Sequence, residues 1–149
     1  MYRVLVAVNE DHKRASRLID AVVSLADATE ELRVVVVHVF REIEVPRQVS
    51  VHQPTSDYEE LLDDLREAPP TIQQVVDGIE AAGVDVEIRI VAGDPAQKIL
   101  ELAEESDSED IYIGGRKHSP TGKVLFGSTT QAVLLNAETP VTVVGSSDE

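Results

Sequence analysis

Apolar and polar positions follow two rhythms along this chain, and the changes of rhythm mark its elements. Val4-Leu5-Val6-Ala7-Val8 is an unbroken apolar run rich in β-branched residues, followed by the polar Asn9-Glu10-Asp11. A run of that length predicts a strand buried on both faces. Ala15, Leu18, Ile19, Val22 and Ala26 then recur at helical spacing with polar residues between them. That spacing predicts an amphipathic helix lying on a sheet. Leu32 to Phe40 (LRVVVVHVF) reads as a second buried strand.

Residues 41–57 hold no sustained period and contain Pro46 and Pro54, which predicts a long loop able to act as a lid. Tyr58 to Glu67 reads as an acidic helix, broken or restarted at Pro69-Pro70. Ile72, Val75, Val76 and Ile79 continue one apolar stripe that ends near Gly83. Val84 to Val91 alternates apolar with polar residues, the pattern of an edge strand. Asp94-Pro95 suits a helix start, because the aspartate caps free N–H groups and proline fits the first helical position. In that helix Ile99, Leu100 and Ala103 are expected to face inward. Asp110 to Gly114 reads as a fourth strand and Pro140 to Val144 as a fifth. Between them lie a basic loop over 115–126 and a helix from Gly127, with Val133, Leu134 and Ala137 expected inward. Strands alternating with helices imply an α/β fold, an open parallel sheet with helices on both faces. Ligands of such sheets bind beyond the carboxyl ends of the strands, where the strand order reverses. No interdomain linker interrupts the pattern, so one domain is expected over residues 1–145, with a polar tail at 146–149.

Composition narrows the function classes. The chain has 149 residues and no cysteine, which removes disulfides, thiolate metal sites and cysteine nucleophiles. No apolar run approaches the roughly 20 residues of a membrane helix. Met1-Tyr2-Arg3 leads into the first strand without a signal-peptide pattern, so the expected compartment is the cytoplasm. Twenty-eight acids against thirteen Lys and Arg give a net charge of −15. That balance argues against nucleic-acid binding and against anionic membranes. With four lysines and 3% aromatic residues, the surface reads as adapted to high salt, the alternative being an ordinary acidic cytosolic protein.

One segment inverts the sign. Arg116, Lys117 and Lys123 place three of the thirteen cationic side chains within eight residues, beside His118. Gly114, Gly115 and Gly122 would let backbone N–H groups approach an anion, and the helix start at Gly127-Ser128 adds free N–H groups and a positive dipole end. Ser128 and Thr129 bring hydroxyls. The combination predicts a phosphate cradle, the alternative being a solvated surface loop with a Gly-Ser helix cap. A Walker A loop is excluded, since six residues separate Gly115 from Gly122 and Val124 follows Lys123. A dinucleotide fingerprint is excluded as well, because no glycine follows the first strand. His12, His38, His52 and His118 show no metal-ligand spacing, and His38, inside a strand, reads as structural. Glu10 and Asp11 read as acids at a helix start, with Mg²⁺ beside a triphosphate as the alternative. No nucleophile–base pair is recognisable, so no catalytic residue is assigned.

The pieces in order resemble the universal stress protein family. They are VLVAVNE, Val37-His38-Val39, Gly93-Asp94-Pro95-Ala96, IYIGGRK, Phe126-Gly127-Ser128 and the closing Pro-Val-Thr-Val-Val. The resemblance implies a five-stranded sheet of order 3-2-1-4-5, a three-layer sandwich of the flavodoxin-like, adenine-nucleotide-hydrolase-like kind. It also implies homodimers through the last strand, here the Val141–Val144 edge. Many members bind ATP through G-x2-G-x9-G-S/T. Gly114, Gly127 and Ser128 match that motif, while Lys117 occupies its second glycine position. Where the family's ATP binders carry an aspartate after the first strand, this chain has Asn9. The implied placement puts adenine near Ala7, Val8 and Val39, ribose at Asn9, and phosphates at Gly114, Gly115, Lys117, Gly127, Ser128 and Thr129. The expected ligand is ATP, with Mg²⁺ accompanying a triphosphate. A scaffold of the same fold that binds no nucleotide and a slow ATPase are the other readings.

The high-salt surface has a direct test. Thermal unfolding midpoints should rise steadily with KCl concentration as self-repulsion is screened. Full stability at low salt would sink that reading.

Overall fold

The structure, a computed structural model, describes residues 1–40, 68–116 and 126–146. The loop expected at 41–57, the helix expected at Tyr58–Glu67, most of the 115–126 loop and the last three residues of the tail lie outside the described residues.

The described elements run β1 (Tyr2–Ala7), α1 (His12–Ala28), β2 (Leu32–Phe40), α2 (Pro70–Glu80), β3 (Asp85–Ala92), α3 (Pro95–Glu105), β4 (Asp110–Arg116), α4 (Ser128–Asn136) and β5 (Val141–Ser146). The strands form one parallel sheet in the order β3-β2-β1-β4-β5, the order implied by the resemblance. β1 is central, paired with β2 from Tyr2↔Leu32 to Ala7↔Val37 and with β4 from Val4↔Asp110 to Ala7↔Ile113. Its alternate residues feed two cores. Val4, Val6 and Val8 pack with Leu18 and Val22 of α1 and with Ile72, Val75 and Ile79 of α2. Leu5 and Ala7 pack with Ile99 and Leu102 of α3, Val133 of α4, and Val35 and Ile111 of the neighbouring strands. Each fully buried Val, Leu or Ile contributes about 1.5–3 kcal/mol relative to exposure. A strand buried on both faces cannot alternate with polar residues, which is why β1 and β2 read as apolar runs. β3, whose sequence does alternate, lies at an edge, as expected.

Local chemistry sets the helix ends. Asp11 caps α1, its carboxylate accepting from the N–H groups of Lys13 at 2.9 Å and Arg14 at 3.2 Å. Asp94 caps α3 through Gln97 N–H at 3.0 Å, with Pro95 in the first turn. Such caps are worth about 1 kcal/mol each. α2 ends at Glu80, and Gly83 closes the following turn at φ +83°, a backbone shape that other residues rarely adopt.

Two inward assignments need correction. Leu134 is 37% exposed and does not face the core. α4 has only nine residues and buries Thr130 and Val133 alone, so the sheet covers a stripe too narrow to include Leu134. In α3 the buried set is Ala96, Ile99, Leu102 and Ala103, while Leu100 is only half-buried at the margin of the core. His38 is buried, and its Nδ1 lies 2.9 Å from the Val8 carbonyl oxygen, a structural role in line with expectation.

At the amino ends of β4 and β5, the Thr142 hydroxyl donates to both Asp110 carboxylate oxygens, at 3.1 and 3.2 Å. Burial raises the Asp110 pKa, and the bonds from Thr142 and Ile111 N–H offset this only in part. Burial, and after it the Asp110 charge, also raises the hydroxyl pKa values of Tyr2 and Tyr112. A carboxyl whose folded pKa is raised supports the fold below its unfolded value of about 3.9 and loses that support as pH rises through the folded value. Asp110→Asn should therefore gain melting temperature relative to wild type between pH 4 and pH 7. A difference that stays constant over that range would contradict the assignment.

Candidate functional site

The strand order reverses between β1 and β4. β1 leads into α1 on one face of the sheet, while β4 leads toward α4 on the other. Neighbouring strands whose continuations part in this way leave a crevice at their carboxyl ends. The described residues of the expected site all lie at this end.

Ala7 closes β1 and shares the α3–α4 face with Val39 of β2, which is half-buried. Together they offer an apolar wall. Val8 has few groups left for a ligand. Its side chain is buried in the α1–α2 core, its N–H donates to Val37 O at 2.9 Å, and its carbonyl already accepts from His38 Nδ1. Its donor is thus spent and only one carbonyl lone pair remains. Asn9 is exposed. Its Oδ1 accepts from Asp11 N–H at 3.0 Å, which fixes the orientation of the amide, and its backbone carbonyl accepts from the Thr71 hydroxyl. The Nδ2 amide is left as the group available to a ligand.

Across the crevice, α4 opens at Gly127 without a side-chain cap. A Cβ at Gly127 would meet nothing within 4 Å among the described residues, so no described side chain crowds that position. α1 and α3 each spend an aspartate on the same task, and α2 begins with Pro69-Pro70, which have no N–H to satisfy. Ser128 is exposed and Thr129 half-buried at this uncapped end. Thr130, one residue further, is a contact that the sequence reading missed. It is buried, and its hydroxyl donates to Gly114 O at 2.9 Å, fastening the start of α4 to β4. A third hydroxyl after Gly127-Ser128 was the available signal.

Gly114 and Gly115 are buried and paired with Val144 and Gly145 of β5. Both have packing reasons to be glycine. A Cβ at Gly115 would lie 2.6 Å from Val143 Cγ1, and one at Gly114 would lie 3.1 Å from Arg14 Cδ. Arg14 is the other missed residue, since the helical pattern marks it only as a polar position beside Ala15. Lys117, Lys123, Gly122 and His118 lie outside the described residues.

Two further polar groups at this end have local partners. His12 Nδ1 lies 2.8 Å from Gln74 Oε1, joining α1 to α2. Asp11 is the α1 cap, as its reading as a helix-start acid implied. Among the described residues, no group of three or more His, Asp or Glu is arranged to hold a metal ion. A separate cavity of about 350 Å³ opens at the amino ends of the strands. Arg3, Arg33 and Arg89 in its lining are balanced by Glu87, Glu105 and Asp107, so its net field is small.

Comparison with known proteins agrees with this architecture. The family model described as the universal stress protein family matches residues 1–145. A universal stress protein of Mycolicibacterium smegmatis is 37% identical over 67 residues, 44% of this chain and 52% of that protein. The chain spans about half the length of the curated relatives it matches. Among solved structures, a universal stress protein from Archaeoglobus fulgidus superposes with a TM-score of 0.70 at 29% identity, covering 97% of this chain and 98% of that one. The Archaeoglobus fulgidus universal stress protein solved in complex with dAMP shares the fold, with a TM-score of 0.67 at 23% identity and coverage of 97% and 98%.

Proposed function

The chain belongs to the universal stress protein family, and on that premise we propose that it is a cytoplasmic regulatory module that binds ATP or another adenine nucleotide at the carboxyl end of its sheet. The observation that carries the reading is the uncapped start of α4 at the strand-order reversal, facing an apolar wall. An open helix N-terminus attracts phosphate through its N–H groups and its dipole. Ala7 and Val39 supply apolar surface for a base. A relative of the same fold was solved with dAMP.

In this reading the base lies against Ala7, Val39 and the rim at Val8. Asn9 Nδ2 donates to a ribose hydroxyl. Gly114, Gly115, Gly127, Ser128 and Thr129 surround the phosphates, and Lys117 adds charge from the connecting loop. Mg²⁺ would enter with a triphosphate rather than occupy a protein site of its own. A second reading, a scaffold of the same fold without nucleotide, is favoured by three departures. Lys117 stands at a glycine position of the motif, Asn9 stands in place of a charged ribose partner, and the Val8 N–H is already committed.

We further propose that two copies pair through the open β5 edge. β5 has a neighbour on one side only, and Val141, Val143 and Val144 are half-buried there. Unpaired edges recruit other strands unless covered. α4 leaves Leu134 37% and Leu135 75% exposed, which supplies apolar surface for such an interface. Among the described residues no helix is long and apolar enough to cross a membrane.

Calorimetric titration in molar KCl tests the ligand. Mg-ATP should bind in the micromolar range and AMP more weakly. No heat and no competition from either would leave the scaffold reading. Light scattering across a range of protein concentrations tests the dimer. The wild type should hold twice the chain mass, and Leu135→Glu should shift it toward the monomer with little change in melting temperature, because that side chain barely contributes to the protomer's core. A wild type that stays monomeric at high concentration would refute the pairing.

A further inference from the structure

Arg14 occupies an odd position for a cation. It sits in the first turn of α1, at the positive end of the helix dipole, where a positive charge is unfavourable. Its side chain is only 13% exposed. The aliphatic stem runs across Gly114, where a Cβ would stand 3.1–3.4 Å from Arg14 Cδ, Cβ and Cγ. The glycine at the end of β4 therefore admits this side chain. Arginines that merely cover apolar surface send the polar head into water. Here Nε, at the base of that head, is buried and has no hydrogen-bond partner among the described residues. Among the described residues the carboxylate paired with it is that of Asp11, whose Oδ2 is 3.7 Å away, beyond hydrogen-bond distance, while Asp11 Oδ1 is engaged by two backbone N–H groups. A buried guanidinium N–H left unmatched is costly, and such exceptions in folded proteins call for a cause.

The place supplies one. Gly114 lies at the strand-order reversal, flanked by the Arg14 stem from the α1 face and by the start of α4, fastened to it through Thr130, from the other. We infer that Arg14 is an anion-binding residue of this crevice, contacting the phosphate chain of the ligand from the α1 side and setting a preference for polyphosphates over the bare nucleoside. The inference deepens the nucleotide reading and rests on it for the identity of the ligand, but its chemistry is that of a phosphate contact. A guanidinium in a partly dry site pairs strongly with phosphate oxygens, because charge-assisted hydrogen bonds gain as water is excluded. The ion pair with Asp11, at 3.7 Å, holds the side chain near this position but leaves the Nε hydrogen without an acceptor among the described residues.

The test compares wild type, Arg14→Gln and Arg14→Lys for binding of Mg-ATP, adenosine and inorganic tripolyphosphate, with melting temperatures recorded for each. Arg14→Gln should lose about tenfold or more in ATP and tripolyphosphate affinity while adenosine is unchanged. Arg14→Lys, which keeps the charge and loses the planar fork, should fall between them. Arg14-dependent tripolyphosphate binding without any ATP or adenosine binding would uphold Arg14 and overturn the nucleotide reading. ATP affinity unaffected in both variants would overturn Arg14 and leave the nucleotide reading standing. Equal losses for ATP and adenosine, or a wild type that binds none of the three, would also overturn the phosphate role. Should Arg14→Gln fail to fold, Arg14→Lys carries the same comparison.

Discussion

The backbone ladder that holds β1 between β2 and β4 is the constraint on which the other features depend. Every residue of the run Val4 to Val8 is buried, so the strand has no solvent face and its side chains must be apolar on both sides. Two cores follow from that, one under α1 and α2 and one under α3 and α4. The two layers also fix where the chain leaves β1 and β4, and so where the crevice opens. The site is thus a by-product of how the central strand is covered.

The distribution of charge follows the same geometry. This chain carries a net −15, yet the start of α4 has no acid, whereas α1 and α3 begin on aspartate. An aspartate cap satisfies the first-turn N–H groups and repels an incoming anion, so a helix meant to receive phosphate does better without one. Asp110 shows the opposite case. It lies at the far end of the sheet, partly buried beside Tyr2 and Tyr112, held by Thr142 and with no ion pair to a cation among the described residues. Charges at the two ends therefore serve different purposes. Asp110 at the amino ends is held by a hydroxyl and raised in pKa by burial, whereas Asp11 and Asp94 at the carboxyl ends cap helices.

Most of the fold was legible in the sequence, because unbroken valine runs and helical stripes are direct imprints of burial. The edge position of β3 showed in its alternation, and Asp94-Pro95 announced α3. Side chains governed by long-range geometry were less visible. Leu134 fits an inward stripe by spacing, but α4 is short and meets the sheet along a narrow strip. Leu102 lies three residues after Ile99, on the same stripe, and is buried, while Leu100, one residue after Ile99, sits at the margin of the core. Gly115 reads as freedom for an anion loop, while its tightest constraint is Val143, twenty-eight positions later. Nothing in the local pattern around Arg14 shows that it meets Gly114, one hundred positions away, or that its Nε is left without an acceptor. The carboxyl-end location of the site is a rule of topology and was legible. Which backbone groups there are already spent, such as the Val8 N–H, depends on neighbours that only the folded chain supplies.

β1 has one neighbour close in sequence and one far away. Arg3 N–H donates to a Glu109 carboxylate oxygen, a contact between residues 106 positions apart. A ribosome releasing this chain from its amino end delivers β1, β2 and β3 long before β4. Until then the central strand is an edge, its Leu5 and Ala7 lack Ile111, Ile113 and Val133 as neighbours, and closing so large a loop is slow. The growing chain passes through a stage in which its most β-prone segment is unpaired on one side, the condition under which strands join the wrong partner. While the stretch that becomes β4 is still being made, the open side of β1 is where the growing chain is most exposed to mispairing.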